Sequence, residues 1–238
     1  VGWDLSLDDL RRNHEAVFVG VGAQRPKPLD VPGAGLRGVH EALSFLVQKN
    51  VKSPLMEGDP IEVEGRRVVV LGGGDTAMDC LRTALRGGAE DVVCLYRRDL
   101  ANMPGSRKEY ANALEEGARF QFLTNPTEVV GDANGRVVGV RMELGEPDAT
   151  GRRKPRPVVG SECLEPADLV LVAYGFDPVP FPEGSEFARI ALDAWGGLKT
   201  DRNQMTSLSG VFAGGDSVRG PSLVVHAVRD GRLAAAGI

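Results

Sequence analysis

The chain is poor in the residues that build redox-active thiols and metal centres. Its 238 residues include three cysteines, Cys80, Cys94 and Cys163, far apart and with no C-x-x-C. That spacing excludes a dithiol redox pair, and a cluster held only by cysteines of this chain. Each cysteine is therefore expected to be a small buried apolar residue. The three histidines, His14, His40 and His226, are too scattered to suggest a metal site. Long apolar runs are missing too: Val68–Leu71 and Leu169–Ala173 fall far short of the ~20 residues of a membrane span. Positive charge is not in excess, with Lys+Arg 28 against Asp+Glu 33 and a net charge of −5. Nothing electrostatic favours nucleic acid. The expectation is a cytoplasmic protein with neither membrane nor nucleic acid as partner.

What the chain has instead is turn residues. Gly 31 and Pro 15 together make up about a fifth of it, above average usage but below low-complexity composition. Hydrophobic residues at 42% and charged residues at 26% match a folded globular protein. A length of 238 residues fits one large domain or two small ones, at roughly 100–200 residues each. The sequence opens on Val1, shows no signal-peptide pattern and stops at Ile238 within an expected helix. It reads as part of a longer polypeptide.

Apolar periodicity sets the elements. Ala16–Val21, followed by Gly22, reads as a buried strand. Val39, Ala42, Leu43 and Leu46 lie at i, i+3, i+4 and i+7, which predicts an amphipathic helix over 39–49. Residues 50–65 carry Pro54, Gly58, Pro60 and Gly65 and read as a linker. Arg67–Leu71 is a second strand. After it come Gly72-Gly73-Gly74 and then Ala77, Cys80, Leu81, Ala84 and Leu85 on one helical face. That helix should end in a left-handed cap at Gly87-Gly88, before a strand at Asp91–Tyr96. Strand, glycine turn, helix and strand within about thirty residues make a βαβ unit with parallel pairing.

Ser106–Gly117 is expected to be helical, with Tyr110, Ala113 and Leu114 inward. Asp132–Gly135, between apolar runs at 127–130 and 136–144, signals a hairpin. Residues 146–158 read as an exposed loop, 168–174 and 210–213 as strands, and 222–238 as a last helix.

Of three glycine motifs, one has the right surroundings for a dinucleotide. Gly33-Ala34-Gly35-Leu36-Arg37-Gly38 matches G-x-G-x-x-G, but Pro28 and Pro32 precede it where a strand is needed. Gly20-Val21-Gly22 follows a strand, yet Arg25, Pro26 and Pro28 stand where a helix should start. Gly72-Gly73-Gly74-Asp75-Thr76-Ala77 has a strand before it and an amphipathic helix after it. There Gly72 permits the tight turn, Gly74 lets backbone approach a pyrophosphate, and Ala77 allows close helix–strand packing. The helix N-terminus offers unpaired N–H groups to the phosphates. No Gly-Lys-Ser/Thr follows, so this is not a P-loop.

The end of the next strand selects the coenzyme. An acid there would accept from a ribose 2′-OH; here Tyr96 is followed by Arg97 and Arg98. Guanidinium forks suit a 2′-phosphate, with Arg107 and Lys108 close by in sequence. The expected coenzyme is NADP(H). A short-chain dehydrogenase would need Tyr-x-x-x-Lys. Tyr96, Tyr110 and Tyr174 have Leu100, Leu114 and Pro178 four residues on, and thioredoxin reductase chemistry would need the missing C-x-x-C.

Three stretches carry a specific resemblance: Val68–Arg98, Asn102-Met103-Pro104-Gly105, and Val211–Asp216. They look like the small (β) subunit of NADPH-dependent glutamate synthase, a member of the pyridine nucleotide-disulphide oxidoreductase superfamily. Related chains are the flavin subunit of ferredoxin–NADP transhydrogenase and the amino-terminal half of dihydropyrimidine dehydrogenase. Gly145–Arg153 and Ser217–Arg232 favour glutamate synthase itself. The resemblance implies an α/β fold in which a Rossmann-like NADP-binding domain is inserted into an incomplete FAD domain. The implied segments are 1–60 (FAD-domain piece and linker), 61–178 (NADP-binding, with the hairpin) and 179–238 (FAD-domain piece).

The resemblance also implies FAD as cofactor. Thr206 and Gly210–Asp216 are similar to a second FAD motif, with Gly215 at the turn and Asp216 on the ribityl chain. Ser222, Leu223 and Val224 start a helix facing the flavin, and Gly175 closes a crossover strand. The implied partner is the glutamate synthase large (α) subunit, which receives electrons and forms glutamate. Any [4Fe–4S] clusters belong to an amino-terminal region outside this sequence or to the partner. A ferredoxin-coupled flavoprotein subunit, or a dinucleotide-binding module without its own activity, remain as alternatives. No catalytic side chain and no metal ligand is assigned.

Overall fold

Two compact units come from one chain, because the second is inserted into the first: Val1–Lys27 with Gly175–Ile238, and Pro28–Tyr174. The computed structural model describes residues 5–51, 60–147 and 155–238. Parts of the expected linker (50–65) and loop (146–158) lie outside the described residues.

In chain order, the outer unit begins with α1 (Leu7–Asn13), β1 (Val17–Val19) and β2 (Arg25–Pro26). The inserted unit follows with β3 (Val39–Glu41), α2 (Ala42–Asn50), β4 (Arg67–Leu71), α3 (Asp75–Arg86), β5 (Asp91–Tyr96) and α4 (Arg107–Glu115). It continues through β6 (Arg119–Phe122), β7 (Thr124–Gly131), β8 (Val137–Glu146), β9 (Arg156–Pro157), β10 (Cys163–Pro166) and β11 (Leu169–Val172). The outer unit resumes with β12 (Phe176–Asp177), β13 (Val211–Ala213), α5 (Asp216–Arg219) and α6 (Val224–Gly237).

The inserted unit is built on a five-stranded parallel sheet in the order β3-β11-β4-β5-β6. Side chains alternate across it, as strand geometry requires. Val68 and Val70 pack into a core with Phe45 of α2 and Met78 and Leu81 of α3. Val69 and Leu71 pack on the other side with Val129, Val140 and Met142 of the β7–β8 hairpin. A sheet covered on both faces needs continuous apolar strands, and all of Val68–Leu71 and Leu169–Val172 is buried. Helix α3 ends as its glycines dictate: Ala89 N–H donates to the Ala84 carbonyl and Gly88 N–H to that of Leu85, with Gly88 at φ +85°.

Several expectations need correction. Val39–Glu41 is a strand paired with β11 rather than the first turn of α2. The compact unit accordingly begins at Pro28, well before residue 61. Leu43 and Leu114 sit on expected inner faces yet are 48% and 44% exposed. On α2 the inward position is filled by Phe45 instead, while on α4 Ala113 is buried as expected. Cys163 is exposed on β10, whereas Cys80 and Cys94 are buried. Gly33 packs against the Val129 carbonyl in a turn, and no helix follows until Ala42.

In the outer unit β1 and β13 pair in parallel. Leu7, Val17, Val19, Phe187, Val211 and Ala213 are buried together around them. The short ribbon β2–β12 is antiparallel. Among the described residues no helix is long and apolar enough to cross a membrane.

Candidate functional site

The carboxyl ends of β4, β5 and β11 meet in the inserted unit, where the strand order reverses direction and parallel sheets take ligands. Gly72 follows β4 at φ +137°, and a Cβ there would stand 2.3 Å from the Ala173 carbonyl oxygen. Only glycine fits, for both reasons. Its N–H donates to the Leu95 carbonyl at 3.2 Å, and its own carbonyl accepts from Cys94 Sγ at 3.0 Å. Gly73 lies on the Tyr96 ring, 2.6 Å from where a Cβ would be. Gly74 is the N-cap of α3, with no atom within 4 Å of a Cβ position. The backbone is open there, as a phosphate contact requires. Asp75 and Thr76 form the first turn of α3, and Ala77 is fully buried beneath them.

Arg97 and Arg98 follow directly from β5. Arg97 is exposed and forms no hydrogen bond or ion pair among the described residues. Burial pushes the phenols of Tyr96 and Tyr174 up; Arg98 and, less strongly, Arg97 oppose this at Tyr96, and Arg97 opposes it at Tyr174. Arg98 is half-buried, and its Nε is buried without a hydrogen-bond partner among the described residues. A buried unmatched donor is costly in a finished structure, and here it sits beside the glycine turn's Tyr96. Arg107, the first residue of α4, donates from Nη2 to the Ala101 carbonyl at 3.1 Å.

The second constellation lies in the outer unit. Gly215 has φ +71° and precedes Asp216, the first residue of α5. Gly215 N–H donates to Asp230 Oδ2 at 3.0 Å. Asp216 Oδ1 accepts from Ser222 N–H at 3.1 Å, and Oδ2 takes no hydrogen bond among the described residues. Thr206, 8% exposed, accepts from Leu208 N–H through its hydroxyl at 3.2 Å. Helix α6 starts at Val224, two residues later than expected, with Leu223 as N-cap. Leu223 and Val224 are 58% and 78% exposed. Ser222 Oγ pairs instead with His226 Nδ1 at 2.7 Å. Gly175, at φ +86°, accepts from Lys27 N–H at 2.9 Å.

Sequence reasoning assigned no site role to three residues here. Asp230 is fully buried and holds the Gly215 turn. Burial opposes its charged form, but hydrogen bonds from Arg219 and Gly215 keep its carboxyl below the usual range. The only available signal was an acid amid the small residues of a late helix. Gly105 and Ser106 were the other omission, and the Pro104-Gly105 dipeptide marked their turn.

These features define a two-dinucleotide oxidoreductase architecture, and residues 8–231 match the family model described as pyridine nucleotide-disulphide oxidoreductase. The chain belongs to that family. Over its whole length it is 48% identical to the glutamate synthase (NADPH) small chain of Azospirillum brasilense, covering 51% of that protein. It is 46% identical to the glutamate synthase (NADPH) small chain of Escherichia coli strain K12, covering 52% of it. Across 99% of the chain it is 41% identical to the NADPH-Fe(3+) oxidoreductase subunit beta of Geobacter sulfurreducens, covering 38% of that subunit. The chain thus spans about half the length, or less, of these relatives. Among solved structures, Mycobacterium tuberculosis FprA in complex with NADPH aligns with a TM-score of 0.80 at 20% identity, over 100% of this chain and 66% of that one. Thioredoxin reductase of T. acidophilum aligns at 0.67 and 23% identity, over 93% of this chain and 64% of that one. These two likenesses speak for the fold.

Proposed function

We propose that this chain is the NADPH-reading portion of a flavoprotein subunit that feeds electrons to a partner, and that the assembly is a glutamate synthase. The observation that carries the reading is Arg97, a cation at the end of β5 with no hydrogen bond or ion pair among the described residues, together with the open backbone at Gly74 after the neighbouring strand β4. Backbone N–H groups of Gly74 to Ala77 would bind the pyrophosphate. Arg97 and Arg98 would grip the 2′-phosphate, and the unmatched Nε of Arg98 fits that group. Arg107 is the third cation.

The Gly215–Asp216 turn fits FAD, because Asp216 Oδ2 is left to accept from a ribityl hydroxyl. Leu223 and Val224 offer apolar surface and the α6 amide end to the ring. FAD, when bound, supplies acceptance of a hydride from nicotinamide and onward release of electrons singly. The residues of this chain bind and orient; none is required to move a proton. In this reading electrons go to iron–sulfur centres and the glutamate synthase large (α) subunit, in the cytoplasm, and glutamate chemistry lies on that subunit. The similarity to an NADPH-Fe(3+) oxidoreductase subunit supports a second reading with a different electron acceptor.

Calorimetric titration with NADPH and NADH tests the core of the proposal. Binding of NADPH tighter by tenfold or more, about 1.4 kcal/mol, is expected; equal affinities would sink the 2′-phosphate assignment. Reconstitution of glutamate formation with a glutamate synthase large subunit separates the two readings of the acceptor.

A further inference from the structure

The segment between β5 and α4 is tied to the glycine turn at two points. Gly105 N–H donates to the Gly73 carbonyl at 2.9 Å, and a Cβ at 105 would stand 2.9 Å from that same oxygen. Ser106 N–H donates to Asp75 Oδ1 at 2.7 Å. The other end is held by Asn102, whose N–H donates to Asp99 Oδ1 at 2.8 Å and whose carbonyl accepts from the Tyr96 hydroxyl at 3.0 Å. Residues 99–106 therefore form a strap laid over the turn, and Arg107 follows it directly.

Asp75 is a peculiar residue for a phosphate site. As the first residue of α3 its carboxylate is favoured by the helix end. The same negative charge repels a pyrophosphate brought to the same amides. A direct binding role does not account for it. Its bond to Ser106 does.

We propose that Asp75 is a positioning residue: its carboxylate anchors Ser106, fixes the first turn of α4, and so places Arg107 for the 2′-phosphate without touching the nucleotide. The inference rests on the NADPH reading above and deepens it. Asp75→Ala is expected to weaken NADPH binding about tenfold and NADH binding less than about twofold. Asp75→Asn keeps an acceptor for Ser106 and removes the negative charge, so it should bind NADPH at least as tightly as the parent. Ser106→Pro removes the donor while its φ of −56° suits proline, and should reproduce the alanine result. Ser106 amide exchange should accelerate in Asp75→Ala and stay slow in Asp75→Asn. If Asp75 acts through Arg107, Asp75→Ala adds nothing to Arg107→Ala in a double-mutant cycle.

Calorimetry with both coenzymes and amide exchange read these outcomes. Equal losses for NADPH and NADH in Asp75→Ala, additive effects with Arg107→Ala, or an asparagine variant as weak as alanine would each overturn the anchoring role. A parent chain that binds neither coenzyme overturns the NADPH reading itself. A parent that prefers NADPH while Asp75→Ala keeps that preference overturns only the inference about Asp75.

Discussion

Asp230 and Arg219 form a two-pronged ion pair under the Gly214–Asp216 turn, with Arg219 Nε donating to Oδ2 at 2.9 Å and Asp230 wholly buried. The same oxygen accepts the Gly215 N–H. Removing one member leaves a buried charge or donor without its match, typically about 3 kcal/mol or more. Asp230→Ala should therefore lower the urea midpoint of the outer unit strongly. Asp230→Leu, which removes the charge and fills the space, leaves Arg219 and Gly215 unmatched and should not rescue it. A midpoint unchanged in Asp230→Ala would show that the pair does not support the turn.

Gly72 and Gly74 should separate stability from binding. Gly72→Ala forces a side chain into positive φ and onto the Ala173 carbonyl, costing about 2 kcal/mol or more. Gly74→Ala meets no atom and loses a few tenths to about 1 kcal/mol of capping preference, but under the proposed binding mode it should block a phosphate's approach. Thermal melts and NADPH titrations of the two variants should rank in opposite orders.

Arg97→Ala should weaken NADPH binding by about 1.5–3 kcal/mol, the range for a charge-assisted hydrogen bond, and leave NADH nearly unaffected. Because Arg97 is exposed, its contribution should shrink as ionic strength rises. Titrations across a salt series in both coenzymes check this.

Thiol reactivity should distinguish the cysteines. Burial pushes Cys80 and Cys94 up to about 12, so neither forms appreciable thiolate near pH 8 in the folded chain. Cys163 is exposed and should react with an alkylating agent before unfolding. Peptide mapping after labelling should find one modified cysteine in native conditions and all three in denaturant.

Acid should weaken the inserted unit from the ends of its strands. Asp168 receives both Arg67 N–H and its guanidinium, and those hydrogen bonds hold its carboxyl below the ordinary value. Arg119 does the same for Asp91. A folded pKa below the unfolded one gives stability that is complete above about 4 and is lost as pH falls through the folded value. Asp168→Asn should cost up to about 1 kcal/mol at pH 7 and make the acid limb of the stability profile shallower.

The βαβ core was legible because its information is local. Val68–Leu71, the glycine turn and the α3 stripe all declare themselves within one window. The strand at Val39–Glu41 was not legible, since its partner is β11, over a hundred residues away, and Val39, Ala42 and Leu46 have a helical period. Leu43, Leu114 and Cys163 show the same limit: residue type says what can be buried, while packing decides what is. For the candidate site, motif and context singled out Gly72–Ala77 and Arg97–Arg98, and the structure puts them at the ends of paired strands β4 and β5. Of the strap only the Pro104-Gly105 turn was legible, because Gly105 and Ser106 hold Gly73 and Asp75 through backbone N–H groups that leave no trace in side-chain pattern.

Lys27 N–H meets the Gly175 carbonyl, and β2 runs antiparallel to β12 just beyond. The two chain crossings into Pro28–Tyr174 are therefore clamped side by side. An insert whose ends are neighbours asks little loop-closure entropy of its host. Exchanging residues 28–174 for a homologous segment therefore means joining two chain ends that the outer unit already holds together at Lys27 and Gly175.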